Sequence, residues 1–289
     1  MFMVNALNKT AYNHYYKLWK HVLPPWSPSL EEIKFCSQTL DRLEEKVKRR
    51  LKVLVLGATP EFRDMLALKG HEITLLDILE PMHGAMTSIM RYKPKYEKLV
   101  IGNWLNADKV LENNYYDAVF CDRPFDNIKF KDYDKFILAV KNILNKNGMI
   151  LFGITNHKFD EKISFKEYLK IFNSEESNFD LFSHRIIGLY DLAVSFGAYN
   201  EENYEVDWGL LKKEFLNECK KHKFSDEEVN KLWGMSDSYK YKIFDTFIEV
   251  LPPLDVVLGK IKKQFKMISI FEDKTKPYMK IKRFFHGNK

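Results

Sequence analysis

Two aspartates each stand at the end of an apolar run. Asp77 closes "EITLLD" and Asp122 closes "YDAVFCD", while Gly57 ends a third run, "KVLVLG". A carboxylate at a strand end can accept two hydrogen bonds from the diol of a ribose. A glycine there permits a tight turn and lets a ligand approach the backbone. Asp77 follows Gly57 by 20 residues, and a helix start lies between them: Thr59 as N-cap, Pro60 at the first position, Glu61 in the first turn. A pyrophosphate favours the spacing G-x-G-x-x-G, which allows backbone contact and close helix packing. Thr59 and Phe62 occupy the second and third of those positions. The pocket therefore reads as built for a ribose without linked phosphates, and a nucleoside carrying an amino-acid tail fits better. Arg63, in the first helical turn, opposes the helix dipole. It either faces an anion such as a carboxylate or pairs locally with Glu61 or Asp64.

These residues need elements to hold them. "SPSLEEIKFCSQTLDRLEEKVKRR" opens on Ser29 with Glu32 completing a capping box, and Leu30, Ile33, Cys36, Leu40, Leu43 and Val47 form one stripe. From Lys52, strand-length apolar runs recur: "KVLVLG", "EITLLD", "KLVIGNW", "YDAVFCD" and "GMILFGI". Such runs without alternation are buried on both faces, which means a parallel sheet covered by helices. "DYDKFILAVKNILNKNG" predicts a helix that stops at Asn147-Gly148. Strand and helix alternating in this way predict a Rossmann-like, doubly wound α/β fold. After Ile154 the alternation ends, and residues 160–253 read as helices with loops. "FKMISIF" and "YMKIKRFF", joined by a short turn, predict a terminal antiparallel hairpin. The expected division is an N-terminal helical lid over 1–50, a core of 51–159 plus 254–289, and a helical substrate cap over 160–253.

The chain has 289 residues, with 46 basic and 40 acidic side chains. The small excess concentrates in "GKIKKQFK" and "MKIKRFF", which read as solvated strand faces in preference to a nucleic-acid footprint. Cys36, Cys121 and Cys219 are odd in number and widely spaced, so disulfides and zinc sites are not expected and a cytoplasmic location is. No apolar stretch approaches the roughly 20 residues of a membrane helix, and the start lacks the pattern of a signal peptide. No acids are spaced for a catalytic metal.

The stretch "VLVLGATPEFRDMLALKGHEITLLDI", with "GNW" and "YDAVFCDRPFDNI" downstream, resembles the class I S-adenosylmethionine-dependent methyltransferases. Within them it is similar to a bacterial and archaeal branch with a GxTPExR first motif. The resemblance spans about residues 12–155 and the last 35. It implies a seven-stranded sheet in the order 3-2-1-4-5-7-6, and S-adenosylmethionine as cofactor. It further implies that Gly57, Ala58, Thr59 and Pro60 flank the methionine part, that Asp77 binds the ribose, and that Ile78 packs on the adenine. Asn103 would meet the adenine amino group with Trp104 beside it, and Asp122 would face the sulfonium with Arg123 and Pro124. Tyr16 and Trp19 would fold over the cofactor. Arg63, from its place in the first turn and not from the resemblance, is a further candidate for an anionic group of the ligand.

The implied activity is methyl transfer to a small-molecule acceptor. The candidates for a catalytic proton carrier are His157 and Asp122. Those for substrate contact are Arg123, His157, His184 and Tyr190, each with a packing or surface role as the competing reading. The alternatives are an RNA or protein methyltransferase using the basic hairpin, and a cofactor-binding regulatory protein without turnover. A nicotinamide dehydrogenase is disfavoured by Phe62 and by the hairpin. The N/D-P-P-Y/F motif of base-methylating enzymes is absent, with "DRPF" at 122–125 its only echo. No oligomeric state follows from the sequence.

Overall fold

The computed structural model describes residues 27–155, 159, 162–172, 178–233, 242–273 and 282–289. Helix α1 (Leu30–Val47) opens on the capping box read from the sequence. The Ser29 hydroxyl accepts from the Glu32 N–H (3.1 Å), and the Glu32 carboxylate accepts from the Ser29 N–H (2.8 Å). Cys36, Leu40 and Leu43 form its buried stripe, whereas Leu30, at the first helical position, is exposed. This second half of the segment expected to be a lid therefore packs as a layer of the core. The first half lies outside the described residues, and Tyr16 and Trp19 with it.

The core then alternates as expected: β1 (Lys52–Leu56), α2 (Pro60–Lys69), β2 (Glu72–Asp77), α3 (Glu80–Thr87), β3 (Glu97–Ile101), α4 (Ala107–Val110), β4 (Tyr116–Cys121), α5 (Tyr133–Ile143) and β5 (Leu144–Thr155). These five strands are parallel. Successive residues of β1 explain its unbroken apolar run. Val53 and Val55 pack under α1 and α2 with Phe62 and Phe120, while Leu54 and Leu56 pack on the opposite face with Phe136, Val140 and Phe152. Burying one such side chain contributes roughly 1.5–3 kcal/mol, so both faces of the strand are stabilised.

One boundary differs from the sequence reading. Helix α5 stops at Ile143, and Leu144–Gly148 already belongs to the strand, where Leu144 pairs with Tyr116 across a register shift. Gly148 lies so close to the Tyr116 carbonyl that a Cβ would stand 2.9 Å from it. That glycine therefore admits a neighbouring strand and does not cap a helix.

The region after β5 is a second correction. Besides α6 (Phe165–Phe172), α7 (Asn178–Ser195), α8 (Trp208–Lys221) and α9 (Asp226–Trp233), it holds an antiparallel sheet of β6 (Tyr199–Asn200), β7 (Glu205–Asp207) and β8 (Ile248–Val250). Strands of two or three residues are too short to show alternation. An aromatic core of Tyr168, Tyr190, Trp208, Phe215 and Trp233 fills this cap. Helix α10 (Leu254–Lys262) returns to the main sheet, and β9 (Lys266–Phe271) and β10 (Lys282–Asn288) complete it. The strand order is β3-β2-β1-β4-β5-β10-β9, with β10 antiparallel to both neighbours. In chain order that is 3-2-1-4-5-7-6, as expected. Among the described residues no helix is long and apolar enough to cross a membrane.

Candidate functional site

The register lines up the tips of three strands. Leu56 pairs with Leu76, and Val55 with Phe120. Continuing these pairings places Asp77, Gly57 and Asp122 side by side at the carboxyl ends of β2, β1 and β4. Adjacent strands lie about 4.8 Å apart, so the row spans roughly 10 Å. The chain after β1 goes to one face of the sheet as α2, and the chain after β4 to the other as α5. The gap between β1 and β4 is thus the topological switch point, where α/β sheets hold their ligands.

At the β1 tip, Gly57 turns with a positive φ of 90° and donates its N–H to the Leu76 carbonyl (3.0 Å). The Trp104 indole N–H reaches the same carbonyl (2.8 Å), and its ring stands 3.5 Å from where a Gly57 Cβ would be. The half-buried indole is therefore one wall of the turn. Thr59 precedes α2 with Pro60 at the first position but makes no side-chain cap bond. Phe62, completely buried, stacks obliquely on Phe120 of β4 at 5.3 Å, filling the seam that the third glycine of a dinucleotide fingerprint would leave narrow.

At the β2 tip, Asp77 is buried and its carboxylate accepts the Leu79 N–H (3.0 Å). Burial pushes its pKa up to about 6, against the pull of the Leu79 and Ile78 N–H groups and of His83. Ile78 beside it is exposed, a large apolar side chain at the rim. The Asn103 side-chain oxygen, expected for an adenine amino group, accepts the Leu105 N–H (2.9 Å) and starts a short turn through Trp104. One lone pair of that oxygen remains.

Arg63 does face a carboxylate, but one of the protein itself. It pairs with neither Glu61 nor Asp64, nor does it face the crevice as a lone cation. Its Nε and Nη2 donate to Glu97 (2.9 and 2.7 Å) and Nη2 also to Thr87 (2.7 Å), fully buried. His83 adds a third contact to Glu97 (3.1 Å). Burial raises the Glu97 pKa, but Arg63 and His83 outweigh it and hold the carboxyl below its ordinary range. Arg63 therefore ties α2 to α3 and β3, and it is withdrawn as a cofactor contact. Asp64 instead accepts the N–H groups of Arg91 and Tyr92.

At the β4 tip the structure gathers residues the sequence left scattered. Arg123, in a left-handed conformation (φ 54°), directs its guanidinium to Asp126 (3.2 Å) and Glu249 (3.3 Å). Glu249, on β8 of the cap, also accepts from the Tyr190 hydroxyl and the Trp208 indole, each at 3.0 Å. Asp126 accepts from Thr155 (2.6 Å) at the end of β5. Burial raises Asp126 to about 7 and raises Glu249 as well, while Arg123 pulls both down. Burial works against the Arg123 charge, yet the surrounding carboxylates outweigh it and its pKa is raised. Of the substrate candidates, Arg123 and Tyr190 thus meet in one buried cluster. His184 falls on α7 with its side chain outside the described residues, and His157 is outside them too. Sequence reasoning missed Asp126, Thr155, Trp208 and Glu249. An acid inside "FIEVLPP", flanked by apolar residues, was the available signal for Glu249.

No protein-family model matches the chain, and no curated protein does. Solved structures share its path. A Rhodobacter sphaeroides protein whose name places it among Zn-dependent alcohol dehydrogenases superposes with a TM-score of 0.55 at 10% identity, covering 97% of this chain and 98% of that one. The PH0226 protein of Pyrococcus horikoshii gives 0.50 at 12% identity, covering 93% and 97%. The 1,6-didemethyltoxoflavin-N1-methyltransferase of Burkholderia thailandensis, crystallised with S-adenosylhomocysteine, gives 0.49 at 10% identity, covering 97% and 86%. At such identities the likeness to the first two is one of fold alone.

Proposed function

We propose that the protein is an S-adenosylmethionine-dependent methyltransferase with a small-molecule acceptor. The observation that carries this reading is the row Asp77–Gly57–Asp122 across the switch point, bounded by Phe62 and Trp104. The donor set fits the cofactor. A buried carboxylate at Asp77 has lone pairs for a ribose diol, the exposed Ile78 offers an apolar face to a base, and Asp122 stands two strands away at the tip of β4. A dinucleotide fits less well, because Trp104 walls the glycine turn and Phe62 holds α2 off the sheet.

In this reading Gly57, Ala58, Thr59 and Pro60 form the floor under the amino-acid tail, and Tyr16 and Trp19 cover it. Asn103 and Trp104 edge the adenine. The GxTPExR branch is part of the same reading, with its arginine given a structural task at Glu97. Bound there, the cofactor supplies an activated methyl group. The protein's own part is alignment and exclusion of water, which together contribute roughly 7–11 kcal/mol in well-oriented systems. The cap over 160–253 seats the acceptor above the strand tips, next to Arg123 and Tyr190, and His157 and Asp122 are the residues to test as proton carriers. A cytoplasmic setting is part of the same reading, in keeping with three cysteines that are odd in number and widely spaced.

The test is calorimetric titration with S-adenosylmethionine and with a nicotinamide dinucleotide, followed by mass spectrometry of a metabolite extract incubated with protein and methyl-labelled cofactor. The expected result is binding of the sulfonium compound alone and one labelled product. Dinucleotide binding refutes the reading, and binding without any product refutes the enzymatic part in favour of a regulatory role.

A further inference from the structure

The end of the sheet opposite the strand tips carries basic side chains that the cofactor crevice does not use. The stretch "KVKRRLK" (46–52) holds five of them in seven residues and no acid, a denser run than either hairpin stretch. "RYKPKYEK" (91–98) adds four more around Tyr92 and Tyr96. The fold brings the two stretches together. Lys52 begins β1, Glu97 begins β3, and β2 joins them: the Glu72 N–H donates to the Leu51 carbonyl (2.9 Å) and the Ile73 N–H to the Tyr96 carbonyl (2.8 Å). The Arg50 guanidinium lies over the Tyr96 ring at 4.2 Å, and the Lys95 ammonium is 5.2 Å from the same ring. On the other side the Lys52 ammonium stands over the Tyr115 ring at 3.7 Å, next to the start of β4. The cations thus run across the starts of four adjacent strands, roughly 14 Å.

Three acids beside this row are committed elsewhere. Glu97 turns inward onto Arg63, Asp117 is buried beneath Arg49, and Asp64 accepts the Arg91 and Tyr92 N–H groups. Glu72, in register with Lys52, offsets one charge. Lys48, Arg50, Lys93 and Lys95 are exposed, and so are the rings of Tyr92 (45%) and Tyr96 (37%). A row of cations attracts a phosphate backbone. Exposed aromatic rings, one with a guanidinium laid over it, offer faces on which unpaired bases stack. A duplex hides its base faces, and a lipid surface calls for apolar anchors, whereas Leu51 of this region is fully buried. RNA is the nucleic acid that as a rule presents unpaired bases to proteins. We propose that this end of the sheet is a docking surface for single-stranded RNA, with Arg50, Lys93 and Lys95 on phosphates and Tyr92 and Tyr96 under bases. Strand β1 puts about 16 Å between Lys52 and the Gly57 turn. The RNA is therefore held away from the crevice and is not the methyl acceptor, and the inference stands independently of the cofactor reading.

The experiment is fluorescence anisotropy of the full-length protein with a labelled, unstructured RNA of about 20 nucleotides, followed from about 50 to 200 mM salt. Each phosphate contact on a single strand contributes roughly 0.7 to the slope of log affinity against log salt. The double variant Arg50→Gln, Lys95→Gln should therefore flatten the slope by about 1.4. Tyr96→Leu removes a stacking face and should weaken binding about fivefold or more with the slope unchanged. Lys263→Gln with Lys266→Gln, in the basic run before the hairpin, should alter neither quantity. Loss of binding in that pair alone overturns the proposal, as does a parent protein that leaves the RNA free at low salt. Equal affinity for a duplex of the same length, or tighter capture of the DNA strand of the same sequence, overturns it too. Binding to vesicles of phosphatidylcholine and phosphatidylserine in place of RNA transfers the surface to a membrane. Thermal melts confirm folding, and if the double variant is unfolded Tyr96→Leu decides.

Discussion

Asp77→Asn should make the free protein more stable while abolishing the proposed binding of S-adenosylmethionine. In the folded chain Asp77 is raised from 3.8 to about 6, chiefly by burial. A carboxyl whose folded pKa is raised opposes folding once the unfolded chain ionises it. Its contribution is neutral below the unfolded value, turns unfavourable as pH climbs from about 4 to 6, and is constant above that. Ionising so buried a carboxyl costs the folded state about 3 kcal/mol at pH 8, and about half of that at pH 5. Asparagine keeps an oxygen for the Leu79 N–H and carries no charge. Urea unfolding of both proteins at pH 5 and pH 8 should show the variant ahead at both, with its lead larger by about 1–1.5 kcal/mol at pH 8. S-adenosylmethionine should raise the melting point of the parent only. A lead that does not change with pH would refute the assignment of an ionised, desolvated carboxylate at this strand tip. Undiminished cofactor binding would refute the ribose role.

Further outcomes follow from the surrounding structure. Glu97→Ala leaves the fully buried Arg63 guanidinium without its carboxylate and should cost about 3–5 kcal/mol in denaturant unfolding; a loss under 1 kcal/mol would mean that water reaches Arg63. Because Glu97 is held below its ordinary pKa, the stability it provides is present above its unfolded value and fades as pH falls through the folded one, so Glu97→Gln should flatten the acid limb of the stability profile. Gly209→Ala sets a Cβ 2.3 Å from the Asp245 carbonyl oxygen, and a backbone neighbour cannot swing away. It should cost about 1–3 kcal/mol, as overpacking does, and an unaltered melting point would contradict the packing of the cap.

Much of the fold was legible because its signals are local. The Ser29 capping box, the two-faced apolar strands and the Gly57-to-Asp77 spacing each depend on a few neighbouring residues. What escaped depends on distant contacts. Leu144–Gly148 reads as the end of a helix, but pairing with Tyr116 draws it into the sheet. The arginine of the first motif looks like a ligand contact until β3 brings Glu97 to it, 34 residues away. Glu249 lies 126 residues beyond Arg123, and only the folded cap joins them.

The most direct test is a crystal structure of the protein soaked with S-adenosylhomocysteine. The ribose hydroxyls should lie on Asp77, the adenine between Ile78 and Asn103, and the sulfur over Gly57 towards Asp122. Adenosine bound elsewhere, or a crevice that Trp104 keeps shut to it, would contradict the account.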